Sequence, residues 1–261
     1  MAELDRETAR AWIDRWERQQ EVHLPDREDR FTVLIDAVEE GTGREDPVVI
    51  DLGCGPGSLS VRLLDRLPAA TVIAVDADPV TLALGRAAHG DRPGLRFADV
   101  DLREPGWPAK LGLDGPADAA VSTTALHWLN ERELTAMYAE LLPVLRPGGL
   151  LLDGDHFQLD EAESPALAAL DRGLLEREER RRFPGGHDES WRGWWEAVTA
   201  DPVLAGYATE REHRRVEAGH HGSESVLLAT HMAALRAAGF AETGILWQRG
   251  ENRLLCAVRG G

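Results

Sequence analysis

The stretch that decides the fold is Val48-Val49-Ile50-Asp51-Leu52-Gly53-Cys54-Gly55-Pro56-Gly57. A short β-branched run is followed by a glycine-rich turn, and Ser58 then begins a segment with apolar residues at helical spacing. This order predicts a buried strand, a tight turn and a helix. Glycines in such a turn permit positive φ angles and close approach of a ligand to the backbone. A glycine turn in an α/β fold needs no ligand, so the spacing alone is weak evidence for a site.

Further short apolar runs repeat the same alternation of strand and helix along the chain. They lie at residues 71–75, 95–97, 117–121 and 150–152. Each is preceded or followed by apolar residues at helical spacing, and Pro79 occupies a first-turn position, which tolerates a missing N–H. Short buried strands that alternate with helices predict an α/β fold, with a Rossmann-like parallel sheet covered by helices on both faces.

The two ends of the chain add helices and a hairpin to this pattern. Two helices are predicted before residue 43, and residues 227–238 predict a helix that ends at Gly239. Two strand-like runs, 244–247 and 253–258, follow with only a short connection between them. That spacing predicts a C-terminal antiparallel hairpin.

Composition and charge narrow the classes of partner. The 261 residues carry a formal net charge of −17, and so acidic a molecule repels phosphate backbones, so no nucleic-acid partner is expected. No apolar stretch approaches the ~18 residues that span a bilayer, so no membrane partner is expected either. The two cysteines form no disulfide framework or zinc spacing, and the charged N-terminus lacks the apolar core of a signal peptide. A cytoplasmic location is the resulting expectation.

Acidic residues stand where the first two predicted strands end. Asp51 lies two residues before the first glycine of the turn, which places a carboxylate at the mouth of the sheet. A dinucleotide site needs helix N–H groups free for a pyrophosphate, whereas a carboxylate in this position suits a cationic ligand better. Asp76 closes the second strand, in the position expected to bind ribose hydroxyls. The alternative for both residues is that they only cap loops.

The chain carries four motifs in order, namely DLGCGPG at 51–57, AVDADP at 74–79, FADVDL at 97–102 and LRPGG at 145–149. Together they resemble the motifs of class I S-adenosylmethionine-dependent methyltransferases. Residues 121–128, VSTTALHW, are similar to the branch that contains trans-aconitate methyltransferase and the malonyl-thioester methyltransferase of biotin synthesis. The chain as a whole also resembles actinobacterial small-molecule methyltransferases. The resemblance implies S-adenosylmethionine as cofactor and methyl transfer to a small-molecule acceptor.

The resemblance also implies which residues hold the methionine end of the cofactor. Asp51 and the backbone of Gly53 and Gly55 are expected to bind it. Ser122, at the end of the fourth strand, is expected to lie near the amino group and the sulfonium.

The nucleoside end is expected to contact four residues of the next two strand ends. By the same resemblance, Asp76 binds both ribose hydroxyls and Ala77 packs on the adenine. Asp99 accepts a hydrogen bond from the exocyclic amine of the adenine, with the Val100 backbone beside it.

On this interpretation the chain divides into four segments. They are an N-terminal helical lid (1–43), a Rossmann-like cofactor-binding core (44–159), a helical insertion that caps the acceptor site (160–222), and a C-terminal helix and strand pair that complete the core (223–261).

Two histidines are the predicted catalytic residues. The acceptor atom stays open between oxygen and nitrogen, with a carboxyl or a hydroxyl group among the options. A hydroxyl acceptor benefits from a general base, and histidine is the side chain most easily poised for that near neutral pH. His127 and His156 follow the fourth and fifth predicted strands, on the edge of the sheet where ligands bind. Trp128 is expected to contact the acceptor, and the alternative is that His127 caps a helix and Trp128 is core.

Tryptophans mark the insertion. Trp191, Trp194, Trp195 and Val198 fall on one helical face. The face either packs the insertion onto the core or also contacts a large apolar or aromatic acceptor, and Trp191 and Trp194 are the predicted contacts.

Polar residues of the N-terminal lid are further candidates. Gln20, Arg27 and Arg30 suit the cofactor carboxylate or an acidic substrate, and ordinary surface salt bridges are the alternative.

No metal site is predicted. Several donors follow the fifth strand or lie in the insertion, but they lack the HxxxH spacing of a helical metal site. They are Asp155, His156, His187, Asp188, His220 and His221. A solvated loop is the interpretation favoured for the last two.

The sequence raises two alternative functions. An NAD-dependent dehydrogenase predicts GxGxxG, but Ser58 stands where the last glycine would be. The other rival is a methyltransferase-fold protein that binds the cofactor without turnover, as a scaffold or regulatory partner. The sequence leaves monomer and homodimer both open.

Overall fold

The structure, a computed structural model, describes residues 4–24, 26–184, 189–217 and 227–261. Within these ranges seven strands form one sheet in the order β3-β2-β1-β4-β5-β7-β6. The strands are β1 (Val48–Leu52), β2 (Thr71–Asp76), β3 (Leu95–Asp99), β4 (Ala117–Thr123), β5 (Leu145–His156), β6 (Phe240–Arg249) and β7 (Asn252–Arg259).

The first five strands are parallel, and the last two run as an antiparallel pair beside them. After β3 the chain crosses back to place β4 on the other side of β1, so the strand order reverses between β1 and β4. Helices cover both faces, which explains why the central strands β1 and β4 are buried along almost their whole length rather than at alternate residues. The predicted Rossmann-like sheet with its C-terminal hairpin is confirmed.

The helices of the described residues follow the predicted apolar faces. They are α1 (Arg6–His23), α2 (Arg27–Thr42), α3 (Ser58–Arg66), α4 (Pro79–His89), α5 (Glu131–Leu141), α6 (Pro165–Arg182), α7 (Trp191–Ala200), α8 (Ala205–Glu217) and α9 (Leu228–Ala238). Asp78, directly before Pro79, caps α4 by accepting hydrogen bonds from the backbone N–H groups of residues 80 and 81. None of these helices is both long and apolar enough to cross a membrane.

β5 begins earlier than the sequence predicted. The LRPGG segment, expected as a turn before the strand, belongs to β5 with an irregular register. Ala117 of β4 pairs with Leu145, whereas Ala119 pairs with Leu150, so extra residues of β5 bulge out between these two pairs. Gly148, at φ +73°, supplies the left-handed conformation that this bulge requires.

A separate apolar cluster attaches α1 and α7 to α4. Trp12 of α1 and Trp194 of α7 meet edge to face with ring centroids 5.8 Å apart. Trp194 is fully buried and packs with Val80 and Leu84 of α4 in this cluster. Burial of aromatic surface here attaches both α1 and α7 to α4.

Candidate functional site

A cavity of about 960 Å³ lies beside the residues that follow the carboxyl ends of β1 to β5. Ligands of open α/β sheets bind at this edge, next to the point where strand order reverses. Its wall includes most of the predicted cofactor residues, namely Gly53, Gly55, Asp76, Ala77, Asp99 and Val100. It also includes the predicted acceptor-side residues His127, Trp128, His156 and Trp191. One cavity therefore joins both halves of the predicted site.

The glycine loop is held in a conformation that only glycine adopts readily. Gly53 has φ +69° and donates its N–H to the Val75 carbonyl at 2.8 Å. A Cβ on Gly53 would lie 2.3 Å from that of Ala125, so this glycine allows close packing. Gly55 has φ +55°, and a Cβ there would meet nothing within 4 Å. Gly55 thus opens the backbone to the cavity.

Asp76 links the loop to the second strand. Its carboxylate accepts hydrogen bonds from the N–H of Gly55 at 2.7 Å and of Asp78 at 2.8 Å. Burial, and then the charge of Asp78, raise the pKa of Asp76 to about 6. Asp76 also belongs to the cavity wall.

Asp51 lies behind the loop rather than on the cavity wall. It is fully buried, and one carboxylate oxygen accepts a hydrogen bond from the Ser60 hydroxyl at 2.6 Å. Its other oxygen, Oδ1, has no hydrogen-bond partner among the described residues. Burial raises the pKa of Asp51 to about 7. The Asp51 side chain does not reach the cavity, and its contact with the methionine end of the cofactor stays a prediction.

Asp99 is paired with a residue that the sequence did not single out. Arg214 of α8 makes a two-pronged contact with its carboxylate, at 2.7 and 3.2 Å, and also donates to the Ala77 carbonyl at 3.1 Å. The neighbouring Arg211 forms an ion pair with Asp78. No local signal in a charged helix identifies these arginines, because their partners are far away in the chain.

Ser122 does not reach the cavity. It is fully buried, and its hydroxyl donates to the Leu52 carbonyl at 2.9 Å. This side chain joins β4 to β1, and the adjacent Thr123 and Thr124 line the cavity, so the position of Ser122 near the amino group and the sulfonium stays a prediction. Thr124 has φ +51°, an unusual value for a β-branched residue, and such strain is concentrated at functional sites.

His127 lies in a short 3₁₀ turn, Leu126–Trp128, with its ring against β5. Its Nδ1 atom is 2.9 and 3.1 Å from the two carboxylate oxygens of Asp155. Burial lowers the pKa of His127, but the charge and the hydrogen bond of Asp155 outweigh it and leave the pKa above its ordinary value. Asp155 was considered only as a metal donor in the sequence, because nothing there shows that it meets His127.

His156 also lines the cavity, beside this pair. Its Nδ1 lies 3.2 Å from the Glu251 carboxylate, and its backbone N–H donates to Asp155 at 2.7 Å. It thus stands at the predicted edge of the sheet, with its ring turned toward the hairpin that connects β6 and β7.

A buried polar network lies behind Asp155. Asp153, two residues earlier on β5, is fully buried, and burial followed by the charge of Asp155 raises its pKa well above the ordinary value. The Nδ1 atom of His231, on α9, is hydrogen-bonded to the Tyr138 hydroxyl at 2.8 Å. Burial lowers the pKa of His231 to about 4. Burial therefore disfavours the charged form of both Asp153 and His231.

The tryptophans divide between the cavity and the core. Trp128 and Trp191 stack with centroids 6.4 Å apart, and both line the cavity together with Trp195. Trp194 is fully buried in the α1–α4–α7 cluster and does not line the cavity. Its predicted substrate contact is corrected, because the rotation of α7 turns Trp195 to the cavity and Trp194 to the core.

The lid residues separate in the same way. Gln20 and Arg27 line the cavity, and Arg27 is paired with Glu17. Arg30 is fully buried and donates to Thr123 at 2.6 Å and to Asn252 at 2.7 Å. Its predicted contact with a ligand carboxylate is corrected to a structural link between α2 and the sheet.

Several carboxylate and histidine side chains, which are potential metal ligands, lie in this region. In the ranges that the structure describes, no group of three or more His, Cys, Asp and Glu side chains is arranged to hold a metal ion. The candidates His187, Asp188, His220 and His221 lie outside the described residues.

The comparisons with known proteins agree with this geometry. A family model for a methyltransferase domain matches residues 49–149. The trans-aconitate 2-methyltransferase of Deinococcus radiodurans is 38% identical over 103 residues, which are 40% of this chain and 35% of that protein. The enzyme of the same name from Azoarcus sp. is 32% identical over 137 residues, 52% of this chain and 49% of that protein. The match thus spans less than half the length of these relatives.

Solved structures share the fold over most of the chain. An O-methyltransferase family protein from Burkholderia thailandensis superposes with a TM-score of 0.55 at 20% identity, covering 88% of this chain and 56% of that one. The S-adenosylmethionine-dependent methyltransferase SibL gives 0.56 at 16% identity, covering 92% and 57%. At these identities the likeness establishes the fold.

Proposed function

We propose that this chain, which carries the methyltransferase domain of class I S-adenosylmethionine-dependent enzymes, transfers a methyl group to a small aromatic acceptor. The observation that carries the proposal is that the predicted cofactor residues and a group of tryptophans line one cavity. A cofactor and an acceptor held in the same cavity can react as one bound pair, which removes most of the entropic cost of their encounter.

The residues at the cofactor end fit S-adenosylmethionine. Gly55 leaves its backbone open to the cavity, whereas Asp51 lies behind the loop and does not reach the cavity wall. Asp76 suits the ribose hydroxyls and Asp99 the adenine amine, both from the cavity wall. When bound, the cofactor supplies a methyl carbon on a sulfonium, whose bond to sulfur breaks with the electron pair left on sulfur.

The acceptor end favours an aromatic molecule over a polyanion. Trp128 and Trp191 stack beside His127 and supply flat apolar surface to this part of the cavity. Trp16 and Trp195 also line the cavity, and Arg211 lies over the Trp195 ring at 3.7 Å. The Arg and Lys side chains of the described cavity wall each have a carboxylate partner within 4 Å. These are Arg27, Arg103, Lys110, Arg211, Arg214 and Arg215. A tricarboxylate such as trans-aconitate would have to displace these partners.

The experiment that tests this function follows S-adenosylhomocysteine release from S-adenosylmethionine, with phenols, aromatic amines, benzoates and trans-aconitate as acceptors. We expect product with an aromatic acceptor and little with trans-aconitate. Product only with trans-aconitate would overturn the aromatic assignment. Tight cofactor binding without product from any acceptor would favour the rival function, binding without turnover.

The cofactor site is tested separately by calorimetry with S-adenosylhomocysteine. Asp76→Ala should weaken binding by roughly 1.5–3 kcal/mol, or about ten- to a hundred-fold, because it removes hydrogen bonds to a charged group. The matched control is Asp46→Ala, which changes an exposed carboxylate away from the cavity. An unchanged dissociation constant for Asp76→Ala would remove the ribose assignment.

A further inference from the structure

His127 and Asp155 meet at the acceptor end of the cavity. The His127 side chain is 26% exposed and reaches the cavity wall, whereas the Asp155 side chain is 4% exposed and lies beneath it. The Nδ1 atom of the ring points to the buried carboxylate, at 2.9 and 3.1 Å from its oxygens. The side of the ring that reaches the cavity is then the side that carries Nε2.

The charge of this pair is settled by the groups packed around it. Burial raises the pKa of Asp155. His127, Arg30 and the His156 N–H lower this pKa by more than burial raises it, so Asp155 is ionised at neutral pH. On the other side, burial disfavours the charged form of both neighbours: it raises the pKa of Asp153 well above its ordinary value and lowers that of His231 to about 4. Asp155 is therefore the anion that faces the imidazole, and Arg30 is the cation that balances it from α2.

We propose that Asp155 is a positioning residue whose carboxylate accepts the Nδ1–H of His127, so that Nε2 is the atom that takes a proton from a hydroxyl acceptor. The inference rests on the proposed function and names its substrate class, an aromatic hydroxyl compound. The hydroxyl proton moves to Nε2, and the oxygen keeps the electron pair of the O–H bond for the bond to the methyl carbon. The proton then leaves His127 to solvent.

This arrangement suits a hydroxyl group more than the other acceptors. A carboxylate is already ionised at neutral pH and needs no base, whereas a phenol has a pKa near 10 and gains from one. A carboxylate that holds the Nδ1–H also strengthens the imidazole as a base, because it favours the protonated ring.

The first test is the tautomer of His127 in the wild-type chain without cofactor. Long-range ¹H–¹⁵N NMR spectra of histidine-labelled protein distinguish the two neutral forms, and His127→Gln assigns the signal by its loss. We expect the neutral ring to carry its proton on Nδ1. A neutral ring protonated on Nε2 would overturn the proposal, and this measurement needs no change to Asp155.

The second test compares two isosteric changes on the same strand. Asp155→Asn should lower the NMR-titrated pKa of His127 by about one pH unit or more, because it removes the facing negative charge. Asp153→Asn is the matched control: Asp153 is not among the groups that shift the pKa of His127, so its replacement should leave that pKa unchanged. Equal shifts in both variants would mean that the strand is perturbed generally, and no shift in Asp155→Asn would mean that the carboxylate does not control the ring. Either result overturns the proposal.

A kinetic readout then separates the dyad from the proposed function. With a phenol acceptor, kcat should rise with pH through the pKa of His127, and Asp155→Asn should move that limb to lower pH while lowering the plateau. The KM for the cofactor should stay the same. If the neutral His127 ring carries its proton on Nδ1 but no acceptor is methylated, the proposed function is refuted and the Nδ1–H orientation stands. If a phenol is methylated but Asp155→Asn leaves the pH dependence of kcat unchanged, the role of Asp155 is refuted.

Discussion

Three aspartates, Asp51, Asp76 and Asp99, lie near the ends of three strands but differ in burial and in their partners. Asp51 and Asp76 are enclosed, and burial raises the pKa of each, to about 7 and about 6. Asp99 is partly exposed and is held by Arg214. The sequence predicted three carboxylates facing one ligand. The structure adds that two of them carry an electrostatic cost that a cationic or hydroxyl-bearing ligand would relieve.

The raised pKa of the buried Asp51 carboxylate predicts that the stability of the ligand-free chain depends on pH. Its pKa is about 7 in the folded state against 3.8 as the ordinary value, so the folded state binds the extra proton between these values. The free energy of unfolding should therefore fall as pH rises from about 4 to about 7. Asp51→Asn removes this dependence and should be the more stable form at pH 8, by up to about 4 kcal/mol at roughly 1.4 kcal/mol per pH unit.

Urea denaturation of both proteins at pH 5 and pH 8 measures this gap. Asp46→Asn, a change at an exposed carboxylate, controls for the added amide. If the gap between Asp51→Asn and wild type were the same at both pH values, Asp51 would not be the titrating group.

At the scale of one element, α7 presents neighbouring tryptophans to different surroundings. Trp194→Ala should lower the free energy of unfolding by about 3–5 kcal/mol, since it empties a fully buried site between α1 and α4. Trp195→Ala should cost less stability and should weaken binding of an aromatic probe such as 2-naphthol, because this side chain lines the cavity. Denaturation and probe titration of the pair give both values. A larger loss of probe affinity in a folded Trp194→Ala protein would reverse the assignment.

A second element, α8, closes over the nucleoside end of the cavity. Arg214 pairs with the Asp99 carboxylate that is predicted to accept the adenine amine, so the two compete for one partner. The pair is more than a third exposed, and such pairs contribute about 0–1 kcal/mol. Arg214→Ala should therefore tighten S-adenosylhomocysteine binding modestly, by about two- to five-fold.

Calorimetry tests this competition. Arg180→Ala, which removes the same charge from a pair with Glu176 on α6, away from the cavity wall, should leave the affinity close to wild type. Weaker binding by Arg214→Ala would mean that the guanidinium contacts the bound cofactor instead of competing with it.

For the whole molecule, the reversal of strand order between β1 and β4 explains why one cavity collects residues from distant parts of the chain. The parallel strands end at a common edge, and the crossings to either side leave a crevice there. Residues of α1, α7 and α8 line the cavity beside this edge, and Trp12 and Trp194 pack α1 and α7 against α4.

The sequence by itself determined the features whose physical cause is local. The glycine turn after β1 follows from the φ angles that Gly53 and Gly55 adopt, and the strands follow from short apolar runs between turn residues. The hairpin of β6 and β7 follows from their short connection. Each signal lies within a few residues, so no knowledge of distant contacts is needed.

Only the tertiary structure decided which side chains reach the cavity and what each one faces. Whether Trp194 or Trp195 lines the wall depends on the rotation of α7 against α1 and α4, and whether Ser122 or Thr123 does depends on the pleat of β4. The partnership of His127 with Asp155 joins residues on a turn and a neighbouring strand. Such contacts are fixed by the packing of whole elements, whose free energy is spread over many distant residues and leaves no mark in the local sequence.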